Sequence, residues 1–131
     1  MEAFKNCANL QNIELPTTLS QLGREAFAGC KNLTQIRIPR RVTSIPVSAF
    51  VDSGLVSVEI TDNVQEILDY AFCRCKNLID IKVTNVENDE EFDQYEDIAY
   101  AKTAFEDCPY QEVLEAAGVF KKRDYSSLLD D

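Results

Sequence analysis

Histidine and tryptophan are missing from this 131-residue chain, and methionine occurs once. Without histidine the commonest general base and metal ligand is gone, and with it the usual Ser–His and Cys–His arrangements for nucleophilic catalysis. Glycine is scarce as well: Gly23, Gly29, Gly54 and Gly118 are scattered, so there is no glycine cluster of the kind that cradles a phosphate. No apolar run approaches the ~18 residues of a membrane helix. The opening MEAFKNCANLQNIEL has neither the basic segment nor the apolar core of a signal peptide. These gaps point away from an enzyme and nominate no catalytic, cofactor-binding or metal-ligating residue. They read as a cytoplasmic chain as it stands, or a surface or extracellular one if it is a piece of a longer protein.

Basic residues are also in short supply, 13 against 23 acids, for a net charge of −10. The deficit is uneven. Residues 1–78 hold eight acids and eight bases, whereas residues 79–131 hold fifteen acids and five bases. Nucleic acid and anionic membranes are repelled by that second half, and a protein or peptide, basic where it meets the acids, is the better electrostatic match. Carboxylate pairs such as Asp89 and Asp93 lie in an open acidic run, with nothing to raise one pKa for general-acid work.

What is present in quantity is a repeat. Ala-Phe occurs at Ala3–Phe4, Ala26–Phe27, Ala49–Phe50, Ala71–Phe72 and Ala104–Phe105, at spacings of 23, 23, 22 and 33 residues. Apolar positions recur with it: Leu10, Leu33, Leu55 and Leu78; Ile13, Ile36, Val58 and Ile81; Leu15, Ile38, Ile60 and Val83. Cys7, Cys30, Cys75 and Cys108 each stand three residues after a phenylalanine, leaving Cys73 as the odd one. An odd count without a secretion signal favours reduced, packed thiols. Cys73-x-Cys75 lacks the two further ligands a metal needs.

Each unit splits into two halves. The run Leu33-x-x-Ile36-x-Ile38 alternates like a short strand with one buried face, and Pro39 stops it. Gly23-Arg24-Glu25-Ala26-Phe27 reads as a turn followed by about one helical turn that carries the phenylalanine into the core. Stacked one repeat apart, such units form a leucine-rich-repeat solenoid, with short parallel strands on one side and short helical turns on the other. Phrases such as Ala26-Phe-x-x-Cys30-Lys-Asn-Leu33-x-x-Ile36-x-Ile38-Pro39 resemble the BspA-like subclass of leucine-rich repeats, known from bacterial surface antigens. The resemblance covers residues 1 to about 108. It implies a non-enzymatic protein–protein interaction module, or alternatively a structural or adhesive segment of a larger surface protein.

The departures from the period carry expectations of their own. The third unit is one residue short and has lost its cysteine, so Ser53–Gly54 tightens that corner. Asn32, which fits a glycan-acceptor pattern, hydrogen-bonds locally. Residues 87–97, ENDEEFDQYED, hold seven acids and read as a solvated insertion loop. As a docking loop for a basic partner its anchors would be Phe92 and Tyr95. Asp107 is placed to cap a helix over about 108–118 that closes the stack, with Tyr110, Val113, Leu114 and Ala117 on its apolar face. The repeat domain thus spans 1–118, and 119–131 reads as a flexible tail. Met1–Phe4 enters in mid-unit, so the uncapped N-terminal repeat is a place for self-association.

On the strand face the candidate partner-binding residues are Thr34, Gln35, Arg37 and Arg40 in one unit, Val56 and Glu59 in the next, then Ile79 and Lys82. One column across this face reads Glu14, Arg37, Glu59, Lys82, alternating in sign.

Overall fold

The computed structural model describes residues 6–84, 91–92, 98–117 and 121–123. Along the chain run β1 (Gln35–Arg37), β2 (Ser44–Ile45), β3 (Ser57–Thr61), β4 (Glu66–Ile67), β5 (Asp80–Thr84), β6 (Glu91–Phe92), β7 (Ala99–Ala101), α1 (Tyr110–Ala117) and β8 (Lys121–Arg123). They fall into two four-stranded sheets, ordered β1-β3-β5-β6 and β2-β4-β7-β8. Every pairing is parallel except β5 with β6, where Val83 faces Phe92. The chain therefore visits the first sheet, then the second, then the turn that carries Ala-Phe, and begins again.

Register follows the repeat. Ile36 pairs Val58, which pairs Ile81, all buried, so one side of the first sheet is a continuous apolar wall. Ile45 pairs Ile67, which pairs Tyr100, and these line the core from the second sheet. Between them Phe27, Phe50, Phe72 and Phe105 are stacked with centroids 5.4, 5.3 and 5.3 Å apart and planes 4°, 6° and 8° from parallel. Carbon atoms touch at about 3.5–4 Å. Parallel rings at this spacing are therefore slipped sideways, in the offset geometry that the aromatic quadrupole favours.

The Ala-Phe segments are not helical turns, as the sequence reading had them. Alternate residues divide the backbone bonding between two directions. Ala26, Ala28 and Cys30 donate back within their own unit, to Gly23, Glu25 and Phe27, whereas Glu25, Phe27 and Gly29 donate forward to Val47, Ala49 and Val51 of the next. The following unit repeats this, with Ser48, Phe50 and Asp52 donating to Asp69, Ala71 and Cys73. The forward-facing N–H groups are freed by left-handed residues two places before and after the phenylalanine: Glu25, Ser48 and Tyr70 at φ 57–60°, and Asn6, Gly29, Asp52, Arg74 and Asp107 at φ 56–75°. A non-glycine residue there costs roughly 1–2 kcal/mol, which the inter-unit bonds must offset. The result is a third backbone ladder where one short helical turn was expected. It is irregular at the fifth unit, where Tyr70 N donates to the Thr103 hydroxyl at 3.3 Å, and that hydroxyl donates to buried Asp69.

Several other expectations change with the tertiary structure. Residues 10–15 form no strand, although Leu10, Ile13 and Leu15 pack against the core. Asp107 does not cap α1: its own φ is 56°, and the carbonyls of Cys108 and Pro109 accept the first bonds from Gln111 and Glu112. On α1 Tyr110 and Leu114 are buried, while Val113, placed on the same apolar face by spacing, is 41% exposed. Lys121–Arg123, read as part of a tail, pairs in parallel with β7. Asn32 bonds across units, not locally, its Nδ2 donating to the Ala8 carbonyl at 2.6 Å. Within the acidic insertion Glu91 and Phe92 form β6, and the rest of 87–97, Tyr95 included, lies outside the described residues, as do Met1–Phe4.

Candidate functional site

Because side chains alternate along a strand, burying Ile36, Val58 and Ile81 turns their neighbours outward. One outer row is Gln35, Ser57 and Asp80, and the other is Arg37, Glu59 and Lys82, both in direct register. Arg37 Nε lies 2.6 Å from Glu59 Oε2. Three members of the alternating column expected from the sequence, Arg37, Glu59 and Lys82, are thus assembled, whereas Glu14 lies in the segment that forms no strand and is not in register with them; each exposed pair contributes at most about 1 kcal/mol. The ladder fixes these charges in rows.

At the lead-in to the strands a second column stacks. Val56 N donates to Thr34 O at 2.8 Å and Ile79 N to Val56 O at 3.1 Å, which places Thr34, Val56 and Ile79 side by side on consecutive units. Ile79 is 62% exposed and Val56 37%, so two branched apolar side chains sit beside the charged rows. Arg40 is exposed at the other end of β1, and the Asn63 amide donates to its carbonyl at 2.7 Å, tying two successive corners together.

Two grooves open on the β1 side of this face. The first, of about 350 Å³, is lined by Asn12, Gln35, Arg37, Ser57, Glu59 and Lys82 among others. The second, of about 430 Å³, lies between Ile13, Glu14 and Leu15 on one side and Ile38, Pro39 and Arg40 on the other. They exist because residues 10–15 pack on the core without joining the sheet as a strand beside β1. This local failure of the repeat is invisible in the pattern, which is full at Leu10, Ile13 and Leu15. Of the sequence-derived candidates, Thr34, Gln35, Arg37, Arg40, Val56, Glu59, Ile79 and Lys82 come together on this one side of the molecule. Phe92 is brought to the far edge of the same sheet by β6, and Tyr95 is outside the described residues.

Burial disfavours the thiolate at Cys30, Cys73, Cys75 and Cys108. Burial pushes the Cys75 thiol up to about 11 and the Cys108 thiol up to about 12, the opposite of what a reactive thiolate requires. Cys75 Sγ instead donates to the Phe50 carbonyl at 3.0 Å and lies 3.3 Å from the Ser53 hydroxyl, so the cysteine column serves as inter-unit packing. Among the described residues no group of three or more Cys, Asp or Glu is placed to hold a metal ion, and no helix is long and apolar enough to cross a membrane.

A search of curated proteins and a search of solved structures each find no match to the chain. A family model described as the BspA type leucine rich repeat region matches residues 1–110 in six copies. The repeats, the parallel registers and that match agree, and the chain belongs to the BspA-type leucine-rich repeat family.

Proposed function

We propose that the chain is a non-catalytic protein-binding module, a solenoid of stacked repeats with α1 closing its C-terminal end, which presents the outward face of β1, β3 and β5 to a protein or peptide. The observation that carries this reading is the register of that face. Three strands hold Gln35, Ser57 and Asp80, and Arg37, Glu59 and Lys82, in rows beside the exposed Val56 and Ile79. Charges and apolar groups fixed by a backbone ladder lose little freedom on binding, and this raises affinity at constant contact area. Pairing rows of alternating sign with an apolar border also suits a partner segment of matching pattern, because mismatched charges are rejected. The stacked reading is supported at the C-terminal end by Tyr110, the first residue of α1, which is buried and packs against Phe105, the last ring of the stack, at 5.6 Å and 49°.

The test is a selection of peptides from a random display library on the immobilised chain, followed by remeasurement on variants. Arg37→Glu and Ile79→Asp, both exposed, are expected to weaken the selected peptides about tenfold or more, as hot-spot truncations do. Lys102→Glu, exposed in the turn after β7, is expected to leave them unchanged. Binders indifferent to both strand-face changes would refute the assignment of this face.

A further inference from the structure

The single deletion in the repeat leaves a notch. Counting four residues past each phenylalanine gives Lys31, Gly54 and Lys76 on three consecutive units, and five past gives Asn32 and Asn77 on either side of a unit that has no counterpart. Gly54 is drawn in tightly: its N–H donates to the Cys30 carbonyl at 3.1 Å, and a Cβ there would fall 2.0 Å from the Lys31 carbonyl oxygen. No side chain larger than hydrogen fits without moving backbone. The outcome is a depression of about 330 Å³ with Ser53 and Gly54 on its floor and Lys31, Lys76 and Asn77 on its rim.

The charge lining that depression is net positive, three cations against one carboxylate, in a chain whose net charge is −10. Asp52 is its one carboxylate, and Arg74 occupies it with two hydrogen bonds, Nε to Oδ1 at 3.1 Å and Nη2 to Oδ2 at 2.8 Å. Arg74's hydrogen bond and positive charge, joined by Lys31 and Lys76, outweigh the opposing desolvation and hold Asp52 below the usual carboxylate range. Asp107, in the next unit, lies beyond Arg74 and does not line the notch. Lys31 and Lys76 are exposed, and neither has an ion pair among the described residues. Standing two units apart, at about 4.8 Å per strand step, they flank the notch at roughly 10 Å. Flexible four-carbon stems can bring both ammonium groups onto one anion.

We propose that the notch at Gly54 is a subsite for a single anionic group, a phosphoryl or a carboxylate, carried on a partner protein. Two lysine ammoniums and the Asn77 amide supply donors, and the residue deleted from this unit, the counterpart of Asn32 and Asn77, leaves the room. A polyanion is disfavoured by the chain's net charge of −10, which leaves a lone charge on a protein surface as the fitting occupant. This site lies at the corner between the Ala-Phe turns and the first sheet, and it stands whether or not the strand face binds.

Amide NMR titrations with sodium phosphate and with sodium acetate, each at ionic strength held constant with sodium chloride, test it. Saturating shifts confined to Gly54, Lys31 and Asn77 are expected with phosphate. In the Lys31→Gln, Lys76→Gln double variant the apparent affinity is expected to fall about tenfold, the loss that two exposed charge pairs predict. Saturation with acetate as well means that a carboxylate suffices, and saturation with phosphate alone means that the doubly charged group is required. Both lysines are exposed, so the variant keeps the fold, which its unchanged amide dispersion verifies. Shifts that never saturate, or that are the same in the double variant, overturn the proposal.

Discussion

Replacing Phe50 with alanine tests the core more directly than any other change. Its ring is fully buried and lies between two others, 5.4 Å from Phe27 and 5.3 Å from Phe72, with planes 4° and 6° from parallel. Removing a buried phenylalanine costs about 3–5 kcal/mol, and here offset stacking is lost on both faces. The cavity would be walled by Phe27, Phe72 and the two sheets, whose backbones are held by ladder hydrogen bonds and cannot close over it. The upper end of that range is therefore expected. For a domain whose whole stability is on the order of 5–15 kcal/mol, this is a third or more. Urea denaturation followed by far-ultraviolet circular dichroism is the assay. With a slope of about 2 kcal/mol per molar, the midpoint should drop by roughly 2.5 M. Phe50→Leu, which keeps most of the volume, should lose much less. A loss under about 1 kcal/mol for the alanine variant would show that the stacked column is not what holds the units together.

Three further outcomes follow from particular atoms. Gly54→Ala should lose at least about 1–3 kcal/mol by overpacking, because the new Cβ meets the Lys31 carbonyl at 2.0 Å; wild-type stability in the same urea assay would mean that this corner is looser than described. Asp52→Asn keeps a residue tolerant of φ 60° but removes the negative charge opposite Arg74, and the cost should be under about 1 kcal/mol because the pair is exposed. Since Arg74 lowers the Asp52 pKa in the fold, the pair's contribution is present above the unfolded carboxyl pKa and fades as pH falls through the folded value. Denaturation midpoints of Asp52→Asn and wild type should therefore converge in acid. Burial raises Cys75 to about 11, and Cys108 and Tyr110 to about 12, so these groups favour the fold fully below the unfolded thiol and phenol pKa values. Stability should fall from about pH 9 upward, as the unfolded chain ionises first. A midpoint flat between pH 8 and 11 would contradict the burial of these groups.

The repeat was legible because a stack must place like residues on like sites. Ala-Phe, the apolar columns and the Arg37, Glu59, Lys82 row could be aligned on paper, and parallel pairing turns that alignment into contact. The two-residue strands β2 and β4 were not legible, since a pair such as Ser44–Ile45 shows no periodicity of its own. The left-handed residues were hidden for another reason. Glu25, Ser48, Tyr70 and Arg74 are not types that announce a positive φ, and they adopt it because the next unit offers acceptors to the N–H groups it frees, carbonyls for three of them and the Thr103 hydroxyl for Tyr70. Residues 10–15 carry the full strand pattern without forming a strand, so the grooves beside β1 came only from the tertiary structure.

The order of residues by itself determined the family, the repeat length, the core columns and which side chains share a face, because each of these depends only on periodicity. Tertiary structure decided what the periodicity leaves free: which backbone groups pair between units, where pairing fails, and which charges meet. The missing residue at Ser53–Gly54 can be counted in the sequence, but only the packing of Gly54 on the Lys31 carbonyl makes it a notch between two lysines. Contacts between residues 20 to 30 places apart arise when one unit closes on the next, and no local pattern encodes them.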